Sequence, residues 1–569
     1  PVSLSRHPIV VGCAAMDSFS NKRLPIVDSS LTPILLAVVL AFTLFSQSPP
    51  GFPNANVKSR MYLTLSILED GVININRFHA GAPSVDVAKI GDNYYSDKAP
   101  GMSFTSLPFA ALGRMLLQLT GQPTAMFDAE GGLTDAFVFV AYLCQIATSG
   151  LGVVLLLLAL YRVALRLGAD RAAATFGVIV CALTTPLWGW ATAFFGHALA
   201  TSLLFIGFAL LVELEHSGAH KSGVHKKDLW LSFGAGLCLA WAFVVEFTTA
   251  PASLIVGIYG LYRIRTSPKD RIVRCVLAAV AGCVLAAIPL LLYNAAAFGS
   301  AFKLGYSNVV GFEGMQTGFF GINAPRLNVL VQILVGERRG LAWLSPILVA
   351  APFALLVMWN DHRRRATATV IAAVTAYYLL MNSGYHYWDG GYSTGPRHLT
   401  PTIPFLALSL VFLWARAGKL VRSLLTVLSV ISYGISLVCV SMTMMVGERM
   451  RQPLREYLLP SFSDWLLHGE TPMLGVAHVP FWFGVPPIMT IPALVIATMV
   501  AVVTTGRRLH RHSHAAALQL PCARAAVRCW RTCRRAPAPR LRAPLRKRRC
   551  RRAPSPDRRR RPSRARPSV

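Results

Sequence analysis

Apolar runs of about 16 to 24 residues, parted by short polar breaks, recur from residue 31 to residue 505. A helix of about twenty apolar residues crosses ~30 Å of hydrocarbon. The pattern therefore predicts an all-α polytopic membrane protein with about twelve transmembrane helices. The first lies at 31–45, and the others at 134–160, 172–190, 195–213, 230–246, 248–262, 273–293, 341–359, 367–382, 399–415, 423–446 and 485–504. The first run has no clear small-residue cleavage site and reads as an uncleaved helix rather than a signal peptide.

The polar breaks divide into two kinds. Arg162/Arg166/Arg171, Lys221/Lys226/Lys227, the run from Arg263 to Arg274, Arg363-Arg364-Arg365 and Arg416/Lys419/Arg422 all fall on one side of the predicted order. Basic loops stay in the cytoplasm, so that side is expected to be inner, with both termini on it. The opposite side has longer loops, 47–133, 294–340, 383–398 and 447–484. In the first of these, Asn56–Leu68 reads as an amphipathic helix stopped by Gly71. Ala99-Pro100-Gly101 opens a second apolar stretch to Leu119. Both are expected to lie along the interface rather than cross it.

Composition sharpens this reading. With 54% hydrophobic and 14% charged residues among 569, the chain is too apolar and too long for one soluble core. The net charge of +31 looks like a nucleic-acid signal, but 22 of the 56 Lys and Arg follow Gly506, against one acid, Asp557. No nucleic-acid partner is expected. Three segments result: a cytoplasmic N-terminal segment 1–30, in which Met16 is a candidate start; a transmembrane domain 31–505; and an Arg/Pro-rich tail 506–569. The tail cannot bury enough apolar surface to fold. Contact with anionic lipid headgroups and a shifted reading frame would both account for it. No predicted outer loop contains a cysteine, so no disulfide framework is expected.

Soluble-enzyme motifs are missing: no Walker loop, no dinucleotide glycine fingerprint, no His-Glu-x-x-His. His216, His220 and His225 stand in a charged loop and read as solvated. Chemistry points instead to Ser84–Gly101, which holds Asp86, Asp92 and Asp97. Asp92 follows a glycine and reads as a turn residue. Asp97 precedes a helix start and could cap it, while Lys98 beside it would favour a phosphate. Asp86, flanked by Val85, Val87 and Ala88, has no turn or cap to serve. An acid in such surroundings suits a general base, the alternative being a buried pair with Lys89 or an arginine. In the loop Tyr385–His398, aromatics with neighbouring glycines suit a sugar face or a membrane-interface belt, and Arg397 can clamp a phosphate. Glu246, at the outer tip of a helical hairpin, is a functional candidate by its depth alone.

Several strings resemble the GT-C superfamily of multi-spanning glycosyltransferases, in particular the group of protein mannosyltransferases and lipid A aminoarabinose transferases. These are Arg60-Met61-Tyr62, Gly71, Tyr95-Ser96-Asp97-Lys98-Ala99-Pro100 and Leu112-Gly113, with Gly390-Gly391-Tyr392-Ser393-Thr394-Gly395-Pro396-Arg397 further on. The chain departs from that pattern where an acidic pair should precede Arg60 and Val57-Lys58 stands instead. Asp86 is then the first choice for the base and Asp97 the second. The resemblance implies transfer of a sugar from a polyprenyl-phosphate donor to a hydroxyl of a glycan, lipid or protein acceptor, with inversion. Arg60, Tyr95, Lys98, Glu246, His386, Trp388 and Arg397 would bind substrate. No metal ligand set is read from the residues, and the resemblance leaves room for a divalent metal. The expected location is the bacterial inner membrane, with the site facing the periplasm. A transporter or flippase of lipid-linked sugars is the alternative, and a non-catalytic polymer ligase a third reading.

Overall fold

A computed structural model describes residues 28–47, 54–217, 225–468, 477–479 and 484–519. The segment before Asp28, His220 and the basic tail beyond Gln519 lie outside the described residues. The chain separates into two units, Pro1–Leu509 and His510–Val569. All contacts given below lie in the first.

Among the described residues eight helices are long and apolar enough to cross a membrane: Asp135–Arg166, Gly196–Glu215, Lys226–Val245, Lys269–Phe298, Arg365–Gly384, Arg397–Arg416, Lys419–Met442 and Ile488–Arg511. Each answers to one of the predicted runs. Three more runs form shorter apolar helices, Thr32–Thr43, Arg171–Leu183 and Pro346–Trp359. The remaining one is the helix Ala250–Ile264. Two of the shortened runs are cut by proline, which disfavours a helical residue before it. Thr184–Pro186 parts Arg171–Leu183 from the short helix Leu187–Ala191, and Ser345-Pro346 parts Leu341–Leu344 from the rest of its run. Large apolar side chains stay exposed along one face of Lys269–Phe298, among them Leu277, Val284, Ile288 and Leu292. A contiguous apolar face of that length has lipid as its natural solvent. The chain is an all-α polytopic membrane protein.

The basic loops meet at one end of the bundle and are stitched together by ion pairs. Arg166 and Lys227 share Glu213, Arg263 pairs with Glu215, and Arg364 and Arg416 share Asp361. His216 in the same region bonds to the Val212 carbonyl at 2.8 Å.

Residues 54–133 of the first long loop pack at the other end. Its first helix, Ala55–Leu65, starts at Asn54, whose side chain accepts from the Asn56 amide. A further turn, Ser66–Asp70, carries it to Gly71. The interfacial expectation fails for this helix. Val57, Arg60, Met61, Tyr62, Leu63 and Leu65 are all buried, because it wedges between the helix Gly101–Leu119 and the hairpin described next. Gly101–Leu119 does keep Leu112, Met115 and Leu119 exposed. Pro100 stands at its N-cap position, and no side chain caps it.

In the chain, a β-hairpin that the helix-centred reading missed stands between the two helices: Val87–Ile90 pairs antiparallel with Asn93–Ser96. The signal was present in Gly91-Asp92, a two-residue turn between strand-forming residues. Gly91 takes φ 57°, the left-handed conformation such a turn requires. Val310 donates to the Val87 carbonyl at 3.1 Å, so the 305–310 segment flanks the hairpin's outer edge.

Candidate active site

The hairpin register places the acids. Val87 pairs with Ser96 at the open end, so the next cross-strand neighbours are Asp86 and Asp97. Two like charges in that position repel. Lys98 removes the conflict, its Nζ lying 2.8 Å from Asp97 Oδ2 and 3.4 Å from Asp86 Oδ1. Asp86 therefore pairs with Lys98, not with Lys89, which is exposed and lies over the Tyr94 ring. Asp97 does not cap the helix that follows. Its side chain is buried and its Oδ1 has no partner. Burial lifts the Asp97 carboxyl to about 6, with Asp86 adding to the rise while Lys98 and Arg60 oppose it. Burial works against the Lys98 ammonium, but the two aspartates outweigh it and hold its pKa above the ordinary value.

The hairpin is fixed to its neighbours by hydroxyls. Ser96 Oγ meets Ser59 Oγ at 2.8 Å, and Ser103 Oγ donates to the Arg60 carbonyl at 2.8 Å. Arg60 is thereby presented to Glu246, at the end of Lys226–Val245, with Nη2 3.4 Å from Oε2. His197, in the first turn of Gly196–Glu215, has Nδ1 3.7 Å from the same oxygen. Gly196 makes this approach possible: a Cβ there would stand 2.7 Å from Glu246 Oε2 and 2.9 Å from Arg60 Nη2. Arg60 remains underused. Its Nε and Nη1 are buried without a partner.

The third side of the cluster comes from 385–398. Arg397 lies over the Phe195 ring at 5.6 Å, and its Nε is buried and unpaired. It lies within electrostatic reach of Asp86, Glu246 and Arg60. His398 stands edge-on to His197 at 5.6 Å and to Tyr385 at 5.3 Å, with Nε2 buried and unpaired. Among the described residues no group of three or more His, Cys, Asp or Glu is disposed to hold a metal ion.

Asp86, Asp97, Lys98, Arg60, Glu246 and Arg397 thus share one end of the bundle. Three other candidates lie apart from them. Tyr95 turns the opposite way on its strand and packs edge-on to Phe298 at 5.8 Å. His386 is exposed and rests against Tyr387 at 4.7 Å. Trp388 lies under the Arg338 guanidinium at 5.4 Å. His197 and His398 were missed as site residues. A histidine opening an otherwise apolar span, as in Phe195-Gly196-His197, was the available signal.

No family model matches the chain, and no curated relative matches it. Among solved structures it is similar to the aminoarabinose transferase ArnT from Cupriavidus metallidurans bound to undecaprenyl phosphate. The identity is 14% over 84% of this chain and 76% of that chain, with a TM-score of 0.45. It is also similar to the oligosaccharyltransferase AglB from Archaeoglobus fulgidus in complex with an inhibitory peptide and a dolichol-phosphate. There the identity is 10% over 74% of this chain and 56% of that one, with a TM-score of 0.45. Both are GT-C membrane glycosyltransferases, the superfamily that the sequence resembles.

Proposed function

We propose that the protein is a membrane glycosyltransferase that moves a sugar from a polyprenyl-phosphate donor to an acceptor hydroxyl. The observation that carries this reading is the gathering of two cross-strand carboxylates around Lys98, beside two guanidinium groups whose buried nitrogens have no partner. Idle buried donors of positive charge are costly unless an anion completes them. A phosphate ester fits the planar forks of Arg60 and Arg397, with Lys98 in the same cluster. Asp86 is the base: its side chain is the more accessible of the two acids, 11% against 3% exposed. It takes the proton of the acceptor hydroxyl while that oxygen attacks the anomeric carbon. The carbon–oxygen bond to phosphate breaks and its electron pair leaves with the lipid phosphate, whose charge Lys98, Arg60 and Arg397 stabilise. One displacement of this kind inverts the anomeric centre. Asp97, closer to Lys98, sets the ammonium in place.

Basic loops collected at the opposite end support an outward-facing site, and the resemblance implies a bacterial inner membrane. The test is purified protein supplied with a panel of polyprenyl-phosphate sugars, scoring release of the lipid phosphate. Release with at least one donor, abolished in Lys98→Ala and Arg397→Ala, is expected. Release at wild-type rates in both variants removes them from the phosphate site. Saturable donor binding without release, from wild-type protein reconstituted with acceptor extracts, favours a carrier of lipid-linked sugars.

A further inference from the structure

Glu337-Arg338-Arg339 is a basic pair on the side of the chain where long loops otherwise carry few such pairs. Arg339 is fully buried, and its partners are all carbonyls: Asp389 at 3.1 Å, Arg338 at 3.2 Å, Gly391 at 3.0 Å and Gly447 at 3.5 Å. Burial, and Arg338 beside it, lower its pKa to about 10. Arg338 pairs with Asp389 at 2.5 Å, but its Nε is buried and unpaired. Arg455 is exposed on the turn Leu454–Leu458. These three arginines line a shallow, solvent-open pocket with Trp343 and Gln452. Glu337, the carboxylate in the lining, is engaged by Gln452 Nε2 at 2.5 Å. None of the lining residues belongs to the Asp86–Lys98–Arg397 cluster.

The pocket has an apolar shoulder. Trp343, 43% exposed, donates to the Val335 carbonyl at 2.8 Å. Val335 ends the helix Leu327–Val335, which also leaves Leu327 and Val331 exposed. Inward, Leu344 and Thr394 are shared with a second, narrow crevice walled by Pro186, Val440 and Met444. Guanidinium groups at the mouth and apolar walls on both sides call for a ligand with an anionic head and a hydrocarbon body.

We infer that this pocket binds the phosphate of an anionic amphiphile, with Arg338 and Arg455 on the phosphate and the chain along Trp343 and the Leu327–Val335 face. The site stands apart from the transferase reading and does not depend on it. Purified full-length protein in detergent is titrated with dioleoyl phosphatidic acid, dioleoyl phosphatidylcholine and inorganic phosphate, with bound ligand counted by native mass spectrometry. Phosphatidic acid should bind saturably, and Arg455→Glu, a surface change that spares the fold, should weaken it by at least about tenfold, the loss of one charge-assisted contact. Arg338→Gln should act in the same direction, while Lys98→Ala should leave this binding within about twofold of wild type, since no Lys98 contact is lost. Equal binding by Arg455→Glu and Arg338→Gln overturns the inference, as does loss of binding in Lys98→Ala alone. Inorganic phosphate binding as tightly as the lipid overturns the amphiphile and leaves a free-anion site.

Discussion

Two buried arginine–carboxylate pairs hold opposite ends of this molecule, and they are built differently. At the basic-loop end, Arg271 and Asp228 are both 0% exposed. Arg271 gives Nε to Asp228 at 3.0 Å, Nη1 to Ser267 Oγ at 2.7 Å, and Nη2 to the Leu214 carbonyl at 2.9 Å and Ser217 Oγ at 3.0 Å. Every guanidinium nitrogen is spent on the protein itself. At the other end, Arg60 meets Glu246 through one nitrogen at 3.4 Å and leaves two buried nitrogens idle. A closed pair ties helices together, and an open one keeps charge in reserve. Burial is common to both arginines, and the count of unspent donors is what sets them apart.

The sharpest way to test this contrast is at the carboxylates that share the open end. Asp86→Asn keeps size and most hydrogen bonding but removes the proposed base. Turnover should fall by ~10²–10⁴-fold with insertion and donor binding intact. A loss below about tenfold is too small for a base, and if Asp97→Asn is then inactive the base is Asp97. Next in size is the closed end. Arg271→Ala leaves Asp228 buried without its cation, which should cost about 3–5 kcal/mol of stability. Thermal unfolding in detergent would show this as a large drop in Tm, with the rate per folded molecule unchanged. Arg60→Ala should show the reverse, a small change in Tm and a large loss of donor use. Equal Tm losses from the two variants would break the comparison.

A smaller effect follows from Asp97, whose carboxyl is raised to about 6. Above that pH it is ionised and holds Lys98 at 2.8 Å; below it the carboxyl is protonated and the ion pair is lost. The rate should therefore rise with pH through about 6 and level off above, falling on the acid side to a lower plateau close to the rate of Asp97→Asn. Asp97→Asn should lack this break. The same break in the variant would assign it to another group.

Much of this arrangement was legible in the sequence. Apolar run length marked the positions of the spans, and the spacing of basic clusters separated the two ends, because both are local properties of the chain. Gly-Gly-Tyr-Ser-Thr-Gly-Pro-Arg and Tyr-Ser-Asp-Lys marked the loops that meet. What was not legible depended on register and crossing. The opposition of Asp86 and Asp97 follows from the hairpin, which a reader looking for helices passes over. The partners of Glu246 lie 186 and 49 positions away in sequence, at Arg60 and His197, and no local pattern links them. The burial of Ala55–Leu65 also eluded the pattern, since an amphipathic helix gives the same period whether its polar face meets water or a site.

Gly196 offers the finest test, because it alters neither charge nor base. Its missing side chain leaves room where Glu246 Oε2, Arg60 Nη2 and the Val245 carbonyl converge, and a Cβ would stand 2.7 to 2.9 Å from all three. The Val245 carbonyl belongs to a helix end and cannot swing aside, so Gly196→Ala must push the carboxylate or the guanidinium outward. Overpacking of this kind costs typically ~1–3 kcal/mol. Part of that cost should appear in Tm and the rest as weaker donor binding, because Arg60 then sits displaced from its place beside Lys98 and Asp97. A helix gains from alanine over glycine by at most about 1 kcal/mol. If Gly196→Ala raises Tm and leaves donor binding unchanged, the close approach is not constraining the site, and the open pair has more slack than its geometry implies.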